Sequence, residues 1–187
     1  MDNELQFAHI EYSIQTKSID IFNIGCGNGI TNLNDPCYDG CRDCCNPELR
    51  NWNLKGKDAL QVISKVVELT TKYNNLIDKI ILVGGDPVDA YKHYPEEYLA
   101  FVQHLKTLDK PIYLFTRYEL ENLPVKLIEN VDYVKTGPYI PELTCDDNIQ
   151  MGIKLATSNQ RIYKASEIQS IVTDRIIDNM VEVLEEV

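Results

Sequence analysis

The chain is poor in positive charge. Its 187 residues carry 18 Lys and Arg against 29 Asp and Glu, a formal net charge of -11. A surface of that sign argues against non-specific attraction to nucleic acid or to an anionic membrane, since both need a basic face. It leaves room for a nucleotide cofactor. No apolar run approaches the roughly 18 residues of a membrane span. The N-terminal stretch holds Asp2, Glu4, Glu11 and Asp20, so it does not read as a secretory signal. A cytoplasmic protein is the default expectation, with no nucleic acid and no membrane among its partners. Internal repeats, linkers and low-complexity segments are missing. Histidine is scarce; His93 and His104 have no metal-ligand company and read as surface residues. The length suits a single domain over residues 1–187, yet it falls short of the roughly 250 residues of a full (β/α)8 barrel.

Cysteine is what the chain concentrates. Cys37, Cys41, Cys44 and Cys45 crowd into one short stretch, and Cys26 and Cys145 complete the six. Such crowding suits a reduced metal site better than a disulfide framework. Cys37, Cys41 and Cys44 stand at the spacing C-x3-C-x2-C. Three thiolates on a tight loop can share one metal centre. A four-iron cluster with three protein ligands keeps one iron open, as a catalytic zinc site keeps one position open. A structural zinc site is the competing reading. It needs a fourth ligand from Cys45, Cys26 or a histidine, and no second C-x2-C pair follows. Scattered core cysteines are a third reading. The spacing favours iron–sulfur.

Along the chain, a short strand is possible in Phe7–Ser13, and the alternation in Ser18–Ile24 predicts a strand. A long irregular loop follows, rich in glycine and asparagine. Gly25, Gly27 and Gly29 lack a following Lys-Ser/Thr, so they read as loop flexibility rather than a phosphate loop. The cluster loop is placed at residues 25–56. Asp58–Tyr73 has a broad apolar helical face, with Asp58 as a cap. Lys79–Val83 is a continuous apolar run, predicting a buried parallel strand that ends at Gly84-Gly85-Asp86-Pro87. Ligands in parallel α/β folds sit beyond the carboxyl ends of strands, and two glycines there let backbone approach a ligand. Pro95–Leu108 is the next helix. Pro111–Phe115 is a strand followed by Thr116-Arg117-Tyr118; Val125–Asn130 is a short helix, and Val131–Lys135 a further strand. An amphipathic helix is predicted over about residues 166–187. Strand–helix alternation implies a parallel α/β fold of four or five strands.

C-x3-C-x2-C is the cluster motif of the radical S-adenosylmethionine (SAM) enzymes. The continuation Cys45-Asn46-Pro47-Glu48-Leu49, then Trp52 and Gly56, resembles the activating component of the anaerobic ribonucleotide reductase. Leu82-Val83-Gly84-Gly85-Asp86-Pro87, Phe115-Thr116-Arg117-Tyr118, Gly137-Pro138-Tyr139 and Ser158-Asn159-Gln160-Arg161 follow in that family's order, so the similarity covers roughly residues 18–163. Three positions depart from it: Cys45 stands where His is usual, Arg117 where Gly is frequent, and Thr136 where Asp is common. Family members also reach the first cysteine sooner after the strand. Gly25-Cys26-Gly27 lies where that ligand is expected, so Cys26 competes with Cys37, although the spacing favours Cys37.

The resemblance implies a partial, open (β/α) radical SAM barrel with an added C-terminal amphipathic helix. It implies a 4Fe-4S cluster on Cys37, Cys41 and Cys44, with SAM held by Gly84, Gly85, Asp86, Thr116, Ser158, Asn159 and Gln160. In the resembled family the cluster cleaves SAM to a 5′-deoxyadenosyl radical. That radical takes hydrogen from a backbone glycine of the reductase. The implied partners are the large subunit of an anaerobic ribonucleotide reductase and an electron donor such as flavodoxin or ferredoxin. No general base or nucleophile pair stands out in the sequence, which suits that chemistry. Alternatives are a small radical SAM enzyme acting on a small molecule, such as a deazapurine-forming synthase, and a non-catalytic zinc module.

Overall fold

The computed structural model describes residues 4–168 and 170. Chain order gives strands β1 (Gln6–Ser13), β2 (Ser18–Asn23) and β3 (Lys57–Asp58), then helix α1 (Ala59–Lys72) and strand β4 (Lys79–Gly84). Helices α2 (Pro87–His93) and α3 (Pro95–Lys106) follow, then β5 (Ile112–Phe115), α4 (Val125–Ile128) and β6 (Tyr133–Thr136). A small ribbon of β7 (Ile149–Gln150) and β8 (Ile153–Lys154) precedes β9 (Arg161–Lys164).

The main sheet runs β3-β1-β2-β4-β5-β6-β9. Its centre, β2, β4, β5 and β6, is parallel. Antiparallel strands extend it on both sides: β1 and β3 beyond β2, and β9 beyond β6. The fold is therefore mixed α/β with a mostly parallel sheet left open at β3 and β9, compatible with a partial radical SAM-like barrel. The four parallel strands are those predicted by the alternation in Ser18–Ile24 and by the strand-like runs at 79–83, 111–115 and 131–135. The polar alternation of β1 is a full strand of a hairpin, and β9 occupies the segment read as a motif rather than an element. Helix α2 is also new, started by Pro87 and by the Asp86 side chain, which accepts from the Val88 N–H at 2.9 Å.

Side-chain alternation along the strands divides the interior into two layers. Phe7, Ile21, Ile80, Leu82, Ile112 and Leu114 face the helices and pack with Val62, Val66, Tyr98, Phe101, Val102 and Leu105. Ile81 and Tyr113 face the other way, with Ile153, Leu155 and Ile162 from the β7–β8 region and β9. Helix α1 starts at a capping box, in which the Asp58 carboxylate accepts from Gln61 N–H and the Gln61 side chain from Asp58 N–H. Its buried stripe, Val62, Val66 and Thr70, is narrower than the apolar pattern suggests: Leu60 is 75% exposed. Ala165 and Ile168 begin a helical turn and are buried; the rest of the helix expected over 166–187 lies outside the described residues, apart from Ser170. Among the described residues no helix is long and apolar enough to cross a membrane.

Candidate active site

A cavity of about 480 Å³ opens beyond the carboxyl ends of the parallel strands, the position at which parallel α/β folds take ligands. Each of these strands, or the loop after it, delivers side chains or backbone to it. Cys26 follows β2, Gly84 ends β4 and Gly85 follows it, Thr116 and Arg117 follow β5, and Lys135 lies on β6. Cys41, Cys44 and Cys45 close one side, and Leu155, Ala156 and Gln160 another. The volume falls within the range of small-molecule sites, roughly 300–1,000 Å³.

The floor is stitched by backbone. Asn23 pairs with Gly84 in register, Gly85 N–H donates to Asn23 C=O at 2.9 Å, and Asp86 N–H to Gly25 C=O at 2.9 Å. A Cβ on Gly85 would collide with the Gly25 carbonyl, and Gly84 has φ +103° with Asn23 N and Phe22 Cα against it. These glycines are therefore required by the neighbouring strand end, not only by a ligand. Gly25 and Gly27 are likewise fixed rather than flexible. Both have positive φ, and a Cβ would strike Trp52 or Asp39. Gly25 N–H donates to Leu49 C=O at 2.7 Å, and Trp52 Nε1 donates to Gly27 C=O at 3.1 Å.

Behind the floor lies a buried acid pair. Asp86 accepts from Thr116 Oγ1 at 2.8 Å and from the Arg117 N–H at 2.9 Å. Asp89 accepts from Gly27 N–H at 2.7 Å, Tyr118 Oη at 2.5 Å and Arg117 Nη2 at 3.2 Å. Burial, with the Asp89 charge beside it, pushes the Asp86 carboxyl up. Burial would also raise Asp89, but the Tyr118, Gly27 and Arg117 donors prevail and hold it below the usual range. Ligand atoms of Cys26, Asp86 and Asp89 lie within 4.8 Å of one another. Both carboxylates are already engaged by protein donors, so this trio is a hydrogen-bonded support rather than a ready cation site. Arg117, the residue that departs from the family's frequent Gly, is half-buried here. Its side chain is 23% exposed, it lines the cavity, and its buried Nε has no hydrogen-bond partner.

The structure separates the cysteines. Cys26 is 6% exposed, Cys41 and Cys44 are half-buried, and all three line the cavity together with the exposed Cys45. Cys37 is exposed and is not part of the lining. Arg50, 1% exposed, donates from Nη1 to Cys26 Sγ at 3.3 Å. It also pairs with Asp39 and lies 4.4 Å over the Tyr38 ring. The Tyr38 hydroxyl in turn donates to Cys41 C=O at 2.9 Å. Burial pushes the Cys26 and Cys44 thiols up, with the Arg50 charge opposing in both.

Two further residues escape sequence reasoning. Arg50 sits among loop residues and gives no signal. Lys135 interrupts an apolar strand, and that is the one sign of it. It is 9% exposed, and Nζ donates to Gly137 C=O at 2.8 Å and Thr116 C=O at 3.3 Å. Burial lowers its pKa to about 8, against the opposing charges of Asp86 and Cys41. Of the terminal motif, only Gln160 reaches the cavity. Its Oε1 accepts from Ala156 N–H at 3.1 Å, which holds the loop that carries Leu155 and Ala156. Ser158 is exposed. Asn159 Nδ2 donates to Pro138 C=O at 3.0 Å, while its Oδ1 is buried without a partner.

Several soft thiol donors on one cavity wall fit an iron–sulfur cluster. The match to a family model agrees: residues 24–163 match the 4Fe-4S single cluster domain. The chain belongs to that family, and at this coarse level it is an iron–sulfur protein of radical SAM type, an oxidoreductase. Neither curated proteins nor solved structures gave a match.

Proposed function

We propose that the protein is a radical SAM activase, which takes a hydrogen atom from a backbone glycine of an anaerobic ribonucleotide reductase. The observation that carries the reading is one cavity at the strand ends, walled by Cys41 and Cys44 on one side and by the Gly84-Gly85 backbone on another. When bound, a 4Fe-4S cluster supplies the single electron for reductive cleavage of SAM. Cys41 and Cys44 hold it, with a third thiolate from the loop of residues 25–56.

The remaining work belongs to the chain's own residues. Gly84 and Gly85 keep the floor free of side chains, so SAM lies against backbone. Lys135 and Arg117, the latter already paired with Asp86 and Asp89, are cations of the lining that suit its carboxylate. Asp86 and Thr116 act at one remove by fixing the backbone of Arg117, whose head group Asp89 holds. Gln160 holds the 155–160 loop where an adenine would rest, and Ser158 and Asn159 hold the turn behind it. Val83, Phe115, Tyr139 and Leu155 form an apolar wall that excludes water from that space.

The test is anaerobic. Reconstituted protein with dithionite and SAM should yield 5′-deoxyadenosine. Adding the large subunit of an anaerobic ribonucleotide reductase should then give a glycyl-radical signal by electron paramagnetic resonance. SAM cleavage without that signal, combined with turnover of a pterin-like substrate, would transfer the assignment to a small-molecule radical SAM enzyme.

A further inference from the structure

We infer that Cys26, rather than Cys37, is the third thiolate that holds the cluster with Cys41 and Cys44. This rests on the reading that the chain binds a 4Fe-4S cluster, and it assigns a ligand that the C-x3-C-x2-C spacing does not.

Cys26, Cys41 and Cys44 share the cavity lining, whereas Cys37 is exposed and stands outside it. Cys37 is also held in place there: its N–H donates to Asp35 Oδ1 at 2.8 Å, and its C=O accepts from Asn28 Nδ2 at 2.5 Å. Those bonds tie the Cys37 backbone to a segment outside the lining. Cys26 already lines the cavity. It follows β2 at the ligand end of the sheet, on a backbone fixed by Asp86 N–H to Gly25 C=O and by Gly27 N–H to Asp89. Preorganised ligands on rigid backbone are what a metal site requires.

The surroundings of Cys26 point the same way. Arg50 cannot accept a hydrogen bond, so its contact with Cys26 Sγ makes the sulfur the acceptor. Arg50 and Tyr38 then link the Cys26 loop to the backbone of Cys41, holding two ligand loops in one unit. The fourteen residues 27–40 between Cys26 and Cys41 become an insertion within the motif, with Cys37 inside it. Cys45 also reaches the wall, but it is exposed and its Sγ already accepts from Asn46 Nδ2 at 3.5 Å.

The experiment compares iron and acid-labile sulfide per chain in wild type, Cys26→Ser, Cys37→Ser, Cys41→Ser and Cys45→Ser. Each is reconstituted anaerobically, with electron paramagnetic resonance of the reduced state and circular dichroism to check folding. About four irons are expected in wild type, Cys37→Ser and Cys45→Ser. A folded Cys26→Ser, like Cys41→Ser, should lose more than half of them. A Cys37→Ser chain that loses its iron, or a Cys26→Ser chain that keeps all of it, overturns the assignment. Should Cys26→Ser not fold, the surface variant Cys37→Ser decides alone. Wild type that binds no iron would instead sink the cluster reading itself, a separate outcome.

Discussion

Lys135 is the residue whose chemistry is most exposed to test. An isolated cation in a buried strand is costly unless it has a task or a partner. Its pKa falls from 10.5 to about 8 on folding. Below pH 8 the lysine is charged in both folded and unfolded chains, so burial opposes folding in full. Between about 8 and 10.5 the folded chain has released a proton that the unfolded chain keeps, so stability rises with pH. Urea denaturation of the apoprotein should show that rise in wild type, and Lys135→Met should flatten it. If SAM binding uses the same charge, Lys135→Met also weakens SAM affinity in the loaded protein. Asp86→Asn is a second test. The carboxylate accepts from Thr116 Oγ1 and from the N–H groups of Val88 and Arg117. An amide must turn an N–H toward one of these donors. The expected cost is about 1–3 kcal/mol, read from the shift in urea midpoint. The residue scale also shows how the terminal motif differs from its sequence reading. Gln160 and Asn159 offer amide edges suited to adenine, but both amides are largely committed to the protein's own backbone.

At the scale of elements, the junction of β2 and β4 decides the site. Two strand ends lie in register, and Gly84-Gly85 lets the loop after β4 bond to Asn23 and Gly25. Gly85→Ala forces a Cβ onto the Gly25 carbonyl, and overpacking of this kind costs about 1–3 kcal/mol. Because the same backbone carries Cys26, iron content should fall along with stability. Asp58→Ala is the contrast. It removes the cap of α1 at a residue that does not line the cavity, and should cost about 0.5–2 kcal/mol while leaving iron content unchanged. Equal loss of iron in both variants would mean that cluster binding only reports global stability. The glycines of the 25–29 segment carry the same lesson. Their positive φ and the packing of Trp52 make this segment a fixed arch, although its composition reads as a flexible loop.

For the whole molecule, the cluster loop is held from several directions and contributes part of the cavity wall. Cluster binding should therefore stabilise the fold by linkage, since ligation favours only the arrangement in which all three thiolates converge. The loaded protein should melt several degrees above the apoprotein, and an iron chelator should remove the difference. Trp52, the only tryptophan, stacks on His93 at 4.4 Å and packs on the 25–29 arch. Its fluorescence should change as iron is lost, before global unfolding. An unchanged melting temperature would mean that the cavity is fully formed without metal.

Sequence by itself determined the four parallel strands, the helices α1 and α3, the cysteine-rich loop and the cofactor class. Each of these rests on local pattern: continuous apolar runs, helical periodicity, and thiols spaced to share one centre. It missed β9 and α2, short elements whose residues carry little periodicity. Tertiary structure decided which thiols line one cavity, and it set Arg50, Lys135 and Arg117 in the same lining with Asp89 behind them. Those groups come from loops and strands far apart in the chain and meet only because the parallel strands end at one edge. Spacing in sequence favours Cys37, because neighbours along the chain are cheap to bring together. The fold favours Cys26, because the register of β2 against β4 has already placed it at the cavity.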